Sequence, residues 1–467
     1  MSDSRRGLSG QGRVRAEEAL RGLGLGLLVL AGCMPGDGVA LDGLQASCPA
    51  AADVVDPGLP TRTNLLIVSI DTLRRDAVGV YGGGDSPFLD GLVSSSVLLD
   101  DHVSGASWTM PSMMCAMAGR CGEEMGVVPD PDRVLYEDEG LPEGEPALWT
   151  WLAAAGMQTA AVAPSPMLTI ERGLSRDVGE LHLDKSANAQ AIVDTGLGVV
   201  DDLMGRGQPW ALQLHFNDVH SPYQPPAAYL SALDDLDPIP WDLDDSEASW
   251  LEMADSYGSM DRETQQLVVA HMRARYAGAL TYLDDQLARL WGELEARGAL
   301  DDTLVVVFSD HGEQFYEHGQ WSHNRSLHVE ERSSFALFWA DGIAPAVVGQ
   351  PTHHRDLVPT LFPAIGVPVP LEVTGTRIGD PPPLYRTAIT RPVDEPPVQA
   401  VDYECLTLHY TWSGDVALYR RDHDPSETEA MPRVAWAAVL GLLQLLEEDT
   451  QRAAALIDSH EPLAPHR

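Results

Sequence analysis

Apolar runs alternate with amphipathic segments through most of the chain. Leu65–Ile70 and Leu304–Phe308 are almost entirely apolar over the length of one strand, which is typical of strands buried on both faces of a parallel sheet. Further strands are predicted at Thr159–Val162 and Trp210–Phe216, and helices at Leu148–Ala155 and Thr264–Gly298. This alternation predicts an α/β fold with a mainly parallel sheet flanked by helices.

The pattern changes after about residue 382. Short strands are predicted at Cys405–Trp412 and Asp415–Tyr419, followed by a helix at Trp436–Leu446. We therefore interpret residues 63–382 as one large domain and residues 383–467 as a smaller C-terminal α+β subdomain. Within the large domain, Leu230–Glu263 holds eleven acidic residues and one arginine, which predicts a solvated insertion on the surface or over the site.

The N-terminal segment has the pattern of an export signal. Five arginines precede a short apolar run at Leu23–Leu30, and two small residues then lead to Cys33. The run is shorter than the roughly 20 residues that span a bilayer. Residues 1–33 are therefore interpreted as a signal peptide. Residues 34–62, rich in Gly, Ala, Pro and Asp, are expected to form a flexible tether.

The acidic composition limits the partners of the protein. The 467 residues include 70 Asp and Glu against 30 Lys and Arg, a formal net charge of -40, so we exclude nucleic acid as a partner. Lys185 is the only lysine. The five cysteines form no CxxC pair, which disfavours a zinc ribbon or a thioredoxin-like site. Cys115 fits either a small buried apolar side chain or a disulfide with Cys121.

Acidic residues follow two of the predicted buried strands. Asp71 comes directly after Leu65–Ile70, and Asp310 and His311 come shortly after Leu304–Phe308. Ligands of open α/β sheets bind outside the carboxyl ends of the strands, so these side chains are expected to meet there. Carboxylates with one imidazole suit a divalent ion such as Zn, Mn, Mg or Ca. Alone, each Asp after a strand would more often be a helix cap or a loop residue than a metal ligand.

A third candidate residue lies at the start of a short helix. Pro111 suits a first helical turn and Gly119 a C-terminal stop, so Thr109 is placed just before the helix. Free N–H groups and the helix dipole at that end favour an anion and an alkoxide. Coordination of the Thr109 hydroxyl to a metal would activate this hydroxyl as a nucleophile. Without the other candidate residues, Thr109 would be interpreted as a plain N-cap.

These pieces and several others, in this order, resemble the bacterial sulfatase family of the alkaline-phosphatase superfamily over about residues 64–430. The motifs are Asp71-Thr-Leu-Arg-Arg-Asp, Ser86-Pro-Phe-Leu-Asp90, Trp108-Thr-Met-Pro-Ser112, His215-Phe-Asn-Asp-Val-His-Ser-Pro-Tyr223, Tyr276, Tyr282-Leu-Asp284, Ser309-Asp-His-Gly-Glu313, Glu317-His-Gly319, Asp356-Leu-Val-Pro-Thr360 and Leu418-Tyr…Asp424-Pro-Ser-Glu427. The resemblance implies an alkaline-phosphatase-like core. It also implies metal-assisted cleavage of sulfate or phosphate esters through a covalent intermediate.

The resemblance also assigns roles by position. The implied ligands of one divalent metal ion (Zn, Mn, Ca or Mg) are Asp71, Thr109, Asp310 and His311. Thr109 matches the nucleophile. His220 matches a residue that contacts the substrate or leaving group, and His323 lies where the family often has a basic residue near the anion. A second metal would need another ligand set, such as Asp218 with these two histidines. Because two-metal spacing is not evident, one metal is predicted.

The chain departs from the sulfatase pattern at the nucleophile. The family motif has a Cys or Ser that is oxidised to formylglycine, followed by x-Pro-x-Arg, but here it reads Thr109-Met-Pro-Ser-Met113. Threonine would not give that aldehyde, and Met113 replaces the arginine. Thr72 replaces the second Asp of the usual pair and is expected to ligate weakly or not at all. Lysine clamps on the anion are absent unless Lys185 reaches the site.

We therefore predict a sulfatase-like ester hydrolase that works through a Thr109 intermediate. Its substrate is expected to be an anionic ester, with carbohydrates and lipid head groups as candidates. Leu30-Ala-Gly-Cys33 resembles a bacterial lipobox, which implies an exported lipoprotein held at the membrane only by a lipid anchor, facing the periplasm or cell exterior. The alternative to the lipid anchor is ordinary secretion.

The hydrolase function also has two alternatives. One is a phosphoryl transferase or phosphodiesterase of the cell envelope, and the other is a non-catalytic metal-binding surface lipoprotein.

Overall fold

The computed structural model describes residues 48–84, 86–127, 140–241, 243, 247–390, 392 and 395–431. The strands are β1 Asn64–Ile70, β2 Val97–Leu99, β3 His102–Val103, β4 Gln158–Ala163, β5 Glu180–Leu183, β6 Trp210–Phe216, β7 Thr303–Ser309, β8 Gln314–Phe315, β9 Trp321–Ser322, β10 Ala336–Trp339, β11 Ala346–Val348, β12 Thr352–His353, β13 Arg386–Thr390, β14 Val398–Tyr403, β15 Leu406–Thr411 and β16 Val416–Arg420. The α-helices are α1 Pro87–Val93, α2 Thr109–Ala118, α3 Leu148–Ala154, α4 Ala189–Arg206, α5 Glu247–Ser256, α6 Arg262–Ala296, α7 Val329–Arg332 and α8 Leu357–Ala364. Short 3-10 helices cover Arg75–Ala77, Gly79–Tyr81, Gly122–Met125, Ala227–Tyr229, Ser231–Asp235, Tyr257–Ser259 and His354–Asp356.

An eight-stranded sheet forms the centre of the large domain, in the order β11-β2-β10-β7-β1-β6-β4-β5. The five strands from β7 to β5 run parallel, and β10 is antiparallel to both of its neighbours. β1 therefore lies in the middle of the parallel part, between β6 and β7. The predicted α/β fold with a mainly parallel sheet is confirmed.

The side chains of β1 show why its sequence is almost entirely apolar. Successive side chains of a strand point to opposite faces of a sheet. Leu66, Val68 and Ile70 belong to the core on one face, together with residues of α4 and α6. Leu65 and Ile67 belong to the core on the other face, together with residues of α2, α3 and α8. Helices cover both faces of the sheet, so the side chains on both sides of a central strand are buried.

The C-terminal sheet is a four-stranded antiparallel meander of β13, β14, β15 and β16. The two short strands predicted after residue 404 are present as β15 and β16, with ends shifted by about one residue. This sheet confirms the strand part of the predicted α+β subdomain. The helix predicted at Trp436–Leu446 lies outside the described residues.

Residues 48–62, the described part of the predicted tether, follow the surface of the domain. Cys48 is bonded to Cys405 in a disulfide. Asp56 pairs with Arg377 at 2.9 Å, and the Val55 N–H donates to Gln350. This stretch is therefore held to the C-terminal sheet and to the large domain. Residues 1–33 of the predicted signal peptide and residues 34–47 of the tether lie outside the described part.

Cys115 and Cys121 form a second disulfide, so the bonded alternative holds for Cys115. Both side chains are buried, and the bond joins α2 to the 3-10 helix at Gly122–Met125. The four cysteines of the described residues are thus paired in two disulfides. Among the described residues, no helix combines the length and the apolar character that crossing a membrane requires.

The acidic segment predicted as an insertion contains α5 and two 3-10 helices before α6. Tyr257 packs its ring 4.2 Å from Tyr316 and 5.0 Å from Trp321, measured between ring centroids. Tyr257 and Trp321 are buried and belong to the apolar core. The insertion is therefore anchored on the β8–β9 hairpin.

Removing the Cys48–Cys405 bond should cost more stability than removing the Cys115–Cys121 bond. The first spans a sequence separation of 357 residues and the second only 6. In the chain-entropy model the two losses are about 6 and about 2 kcal/mol. Denaturant unfolding of the Cys48→Ser/Cys405→Ser and Cys115→Ser/Cys121→Ser proteins measures both. Equal losses, or a larger loss in the second protein, would contradict this ranking.

Candidate active site

Neighbouring parallel strands bring their carboxyl ends to one buried point. β1 and β7 run in register, with Ile70 opposite Ser309. Asp71 directly follows β1, and Asp310 and His311 directly follow β7. The predicted metal ligands of the two strand ends are therefore side by side, at the edge of the sheet where ligands of such folds bind.

Asp71 is the centre of this cluster. Its Oδ1 lies 3.6 Å from His311 Nε2, and its Oδ2 lies 3.6 Å from His215 Nε2. His311 Nε2 is also 3.6 Å from Asp310 Oδ2. One ligand atom each of Asp71, His215 and Asp310 lie within 4.8 Å of one another. All four side chains are at most 2% exposed.

The protonation of His311 shows that these atoms fit a bound cation. Its Nδ1 lies 2.9 Å from the carbonyl oxygen of Gly312, which can only accept, so Nδ1 carries the proton. Burial lowers the pKa of His311 to about 4, so the ring is neutral and Nε2 presents a lone pair. A lone pair facing two carboxylates is unfavourable unless a cation lies between them.

The donor set also leaves the right atoms free for a cation. Within the described residues, four buried atoms of the cluster have no hydrogen-bond partner: Asp71 Oδ1, His215 Nε2, Asp310 Oδ2 and His311 Nε2. Burial and the charge of Asp71 raise the pKa of Asp310 well above its ordinary value, as expected for two carboxylates without a cation between them. Two carboxylates and two imidazoles suit Zn or Mn best among the predicted ions.

His215 is a site residue that the sequence analysis missed. It lies in β6, inside the strand rather than after it. Its Nδ1 is 2.9 Å from Ser69 Oγ, which also accepts from Gln213, and this fixes the ring with Nε2 toward Asp71. In the sequence, a Gln and a His two residues apart within an otherwise apolar strand could have indicated this residue.

The backbone on either side of the cluster holds Asp310 in place. Asp310 Oδ1 accepts from the N–H groups of Thr72 and His311, at 3.1 and 2.8 Å, which leaves Oδ2 for the cluster. Thr72 Oγ1 donates to the Val219 carbonyl at 2.9 Å. Of the two expectations for Thr72, weak ligation or none, the second therefore fits the structure.

Thr109 is the first residue of α2, and Trp108 is the N-cap. Thr109 was expected just before the helix, so the helix starts one residue earlier than expected. Thr109 Oγ1 lies 3.4 Å from Asp71 Oδ2, at the positive end of the helix dipole. Ser112, one turn later, donates to the Asp310 carbonyl and contacts His354 Nδ1 at 2.9 Å. The helix end and the end of β7 are thus tied together.

The two predicted leaving-group histidines lie together beside the cluster. The ring of His323 is 4.7 Å from that of His311 and 4.9 Å from that of His220, centroid to centroid. His220 Nδ1 donates to the Ser221 carbonyl at 2.6 Å, so this ring nitrogen carries a proton. Burial, together with the neighbouring His311 and His220, lowers the pKa of His323 well below its ordinary value.

The C-terminal sheet supports both loops of the site. Thr390, at the end of β13, accepts from Ser107 and donates to Asn324, at 2.9 Å each. The Asn324 N–H donates to the Ser107 carbonyl at 2.9 Å. The segment before Thr109 and the segment after His323 are therefore joined through one residue of the smaller sheet.

Other residues considered from the sequence lie away from this chemistry. Asp218 Oδ1 accepts from the N–H of Ala189 at 2.9 Å, so it caps α4, and burial raises its pKa to about 6. Met113 is fully buried in the apolar core under the sheet. Lys185 is exposed beyond the edge strand β5. The site therefore has neither the family's arginine nor a lysine buried within it.

Residues 63–367 match the profile of the sulfatase family. The choline-sulfatase of Rhizobium meliloti (strain 1021) is 29% identical over 167 residues, which cover 34% of this chain and 32% of that enzyme, so the match spans about a third of its length. Among solved structures, BT4656 in complex with its substrate D-glucosamine-2-N,6-O-disulfate has a TM-score of 0.68 and 16% identity, covering 85% of this chain and 99% of that chain. The phosphonate monoester hydrolase of Silicibacter pomeroyi has a TM-score of 0.63 and 18% identity, covering 85% and 96%. At these identities the structural likeness shows the fold.

Replacing His215 should weaken metal binding, whereas replacing Thr72 should not. We expect His215→Gln to lower the affinity for zinc by about 100-fold, because it removes a buried ligand. Thr72→Ala removes only a hydrogen bond to a carbonyl and serves as the control. Competition with a chelator measures both affinities without relying on turnover. Unchanged affinity in His215→Gln, or equal losses in both variants, would contradict the assigned ligand set.

Proposed function

The chain belongs to the sulfatase family, and we propose that it hydrolyses anionic sulfate or phosphate esters. In this proposal the enzyme depends on a divalent metal ion, and Thr109 is its nucleophile. The ester-hydrolase class follows from the family. The observation that carries the proposal is the position of the Thr109 hydroxyl, 3.4 Å from Asp71 Oδ2 and at the N-terminus of α2. A nucleophile, an unsatisfied ligand cluster and two histidines meet there in one buried place.

The residues that would hold the metal are Asp71, His215, Asp310 and His311, with Thr109 completing the set. A bound divalent cation would stabilise the Thr109 alkoxide and the negative charge that develops on the ester. The N-terminus of α2 adds its partial positive charge and its free N–H groups. Thr109 is therefore activated by its surroundings, without an oxidised side chain.

The proposed covalent step exchanges one bond at the phosphorus or sulfur atom for another. The Thr109 oxygen forms a bond to the phosphorus or sulfur atom while the bond to the ester oxygen breaks. The leaving oxygen takes a proton from Nε2 of His220, which enters the step as the imidazolium. Water then gives a proton back to that nitrogen, bonds to the phosphorus or sulfur atom and releases Thr109 as the alkoxide. We assign the acid role to His220 because the lowered pKa of His323 keeps that imidazole uncharged. His323 then serves to hold the ester group.

Threonine at the nucleophile position favours phosphorus over sulfur. Without formylglycine the attacking group is a simple alkoxide, and an acceptor alcohol in place of water would make the same site a phosphoryl transferase. The anion would be bound by the N-terminus of α2, by His323 and by Arg325. Arg325 is exposed, and its charge lowers the pKa of His323, so it lies near that ring. A carbohydrate or lipid head group carrying one anionic ester fits this set.

Two variants of Thr109 separate the proposed mechanisms. With paired aryl sulfate, phosphate monoester, phosphate diester and phosphonate substrates, Thr109→Ser should keep activity within about 10-fold and Thr109→Ala should lose about 1,000-fold or more, because only the first retains a nucleophilic oxygen. Adding a primary alcohol tests for transfer. Turnover that survives in Thr109→Ala would exclude the nucleophile. No turnover by the metal-loaded wild-type protein with any substrate would favour the non-catalytic alternative.

We further propose that the protein is exported and anchored by lipid on Cys33. The two disulfides of the described residues support an oxidising compartment. The full chain expressed in a bacterium should carry a lipid, so that it partitions into detergent and sediments with membranes. Cys33→Ala should appear in the aqueous phase. Equal partitioning of the two proteins would contradict the anchor and leave ordinary secretion.

A further inference from the structure

A second cluster of unpaired ligand atoms lies where the large domain meets the C-terminal sheet. His328 immediately precedes α7, His409 lies in β15, and Glu427 follows β16. One ligand atom of each lies within 4.8 Å of the others. The three residues come from separate segments, so only the docked subdomain brings them together.

The distances within this cluster match a shared metal ion. Glu427 Oε2 is 3.4 Å from His328 Nδ1 and 3.4 Å from His409 Nε2. Two ligand atoms about 2.0–2.1 Å from a zinc ion at the tetrahedral angle lie about 3.4 Å apart. The same separation is long for a hydrogen bond between a nitrogen and a carboxylate.

The atoms of this cluster are also buried and unsatisfied. Within the described residues, His328 Nδ1 and His409 Nε2 have no hydrogen-bond partner. His409 is 7% exposed and Glu427 1%. Buried imidazole nitrogens are costly when left unpaired, and a cation would satisfy both at once.

The surroundings fix the carboxylate and the first histidine. Arg332 pairs with Glu427 Oε1, and the Val329 N–H donates to Oε2 at 3.2 Å. The ring of His318 stacks on that of His328, 3.5 Å between centroids and 3° between planes. Burial lowers the pKa of His328 to about 4, so the ring is neutral and able to ligate. Such supporting contacts are the usual second layer of a metal site.

We propose that His328, His409 and Glu427 form a zinc site, distinct from the catalytic cluster, that fastens the C-terminal sheet to the large domain. Two imidazoles and one carboxylate are a donor set that zinc accepts, with water in the fourth position. The His328 side chain is 13% exposed, which gives water and the ion a path to the site. By closing this junction, the ion would stabilise the sheet whose Thr390 holds the loops of Thr109 and His323.

The test uses a background in which the catalytic cluster is disabled. Full-length Asp71→Asn/Asp310→Asn protein, stripped of metal and titrated with zinc against a chelator, should bind one equivalent, and zinc should raise its melting temperature. Adding His409→Gln should weaken that binding about 100-fold and abolish the thermal shift. Adding His423→Gln instead, at an exposed histidine outside the cluster, should change neither.

The metal-free melting temperatures of all three proteins show whether each is folded. The proposal is overturned if the double variant binds no zinc, or if His409→Gln binds zinc as tightly as its parent. Since no catalytic activity is measured, the outcome is independent of the proposed ester hydrolysis.

Discussion

Two carboxylates buried side by side are the constraint on which the rest of this molecule depends. Asp71 and Asp310 follow adjacent strands, and neither is exposed to water that could screen it. Like charges so placed repel, and the lone pair of His311 adds to the repulsion. Without a cation this arrangement is strongly unfavourable. A bound cation would therefore reconcile the sequence of the strand ends with their burial.

Much of the surrounding structure holds this cluster in one geometry. The parallel register of β1 with β6 and β7 sets the spacing of the ligands, and the contact of Ser69 with His215 sets one ring orientation. Ser112 and Thr390 then tie α2 and the His323 loop to this frame. The fold places the cluster at the carboxyl ends of the strands, and a few hydrogen bonds then fix its geometry.

Buried ion pairs tie the smaller sheet to the large domain. Arg332 pairs with Asp402 at 2.6 Å and with Glu427, and Arg386 bridges Asp402 and Asp101 at 3.1 and 2.9 Å. Removing one member of such a network leaves an uncompensated buried charge, which costs about 3–5 kcal/mol. The C-terminal sheet is consequently part of the active-site scaffold rather than a separate unit.

Features that depend on neighbouring residues in the chain could be predicted from the sequence. Features that depend on tertiary contacts could not. The parallel sheet and the positions of Asp71, Asp310 and His311 followed from apolar runs that end in acidic residues. The placement of Thr109 at a helix start followed from Pro111 and Gly119. His215 was missed because it lies within a strand, where a buried histidine looks like any core residue. The Cys48–Cys405 bond and the Thr390 contacts join segments far apart in the chain, and no local pattern encodes them.

In the proposed mechanism, Thr109 forms the bond to the transferred group. The most direct test is to quench the zinc-loaded enzyme with acid during turnover of a phosphate or sulfate ester and to analyse its peptides by high-resolution mass spectrometry. We expect one phosphoryl or sulfuryl group on Thr109, which disappears when substrate is exhausted. Turnover with no adduct on any residue, or with the group on a different side chain, would contradict it.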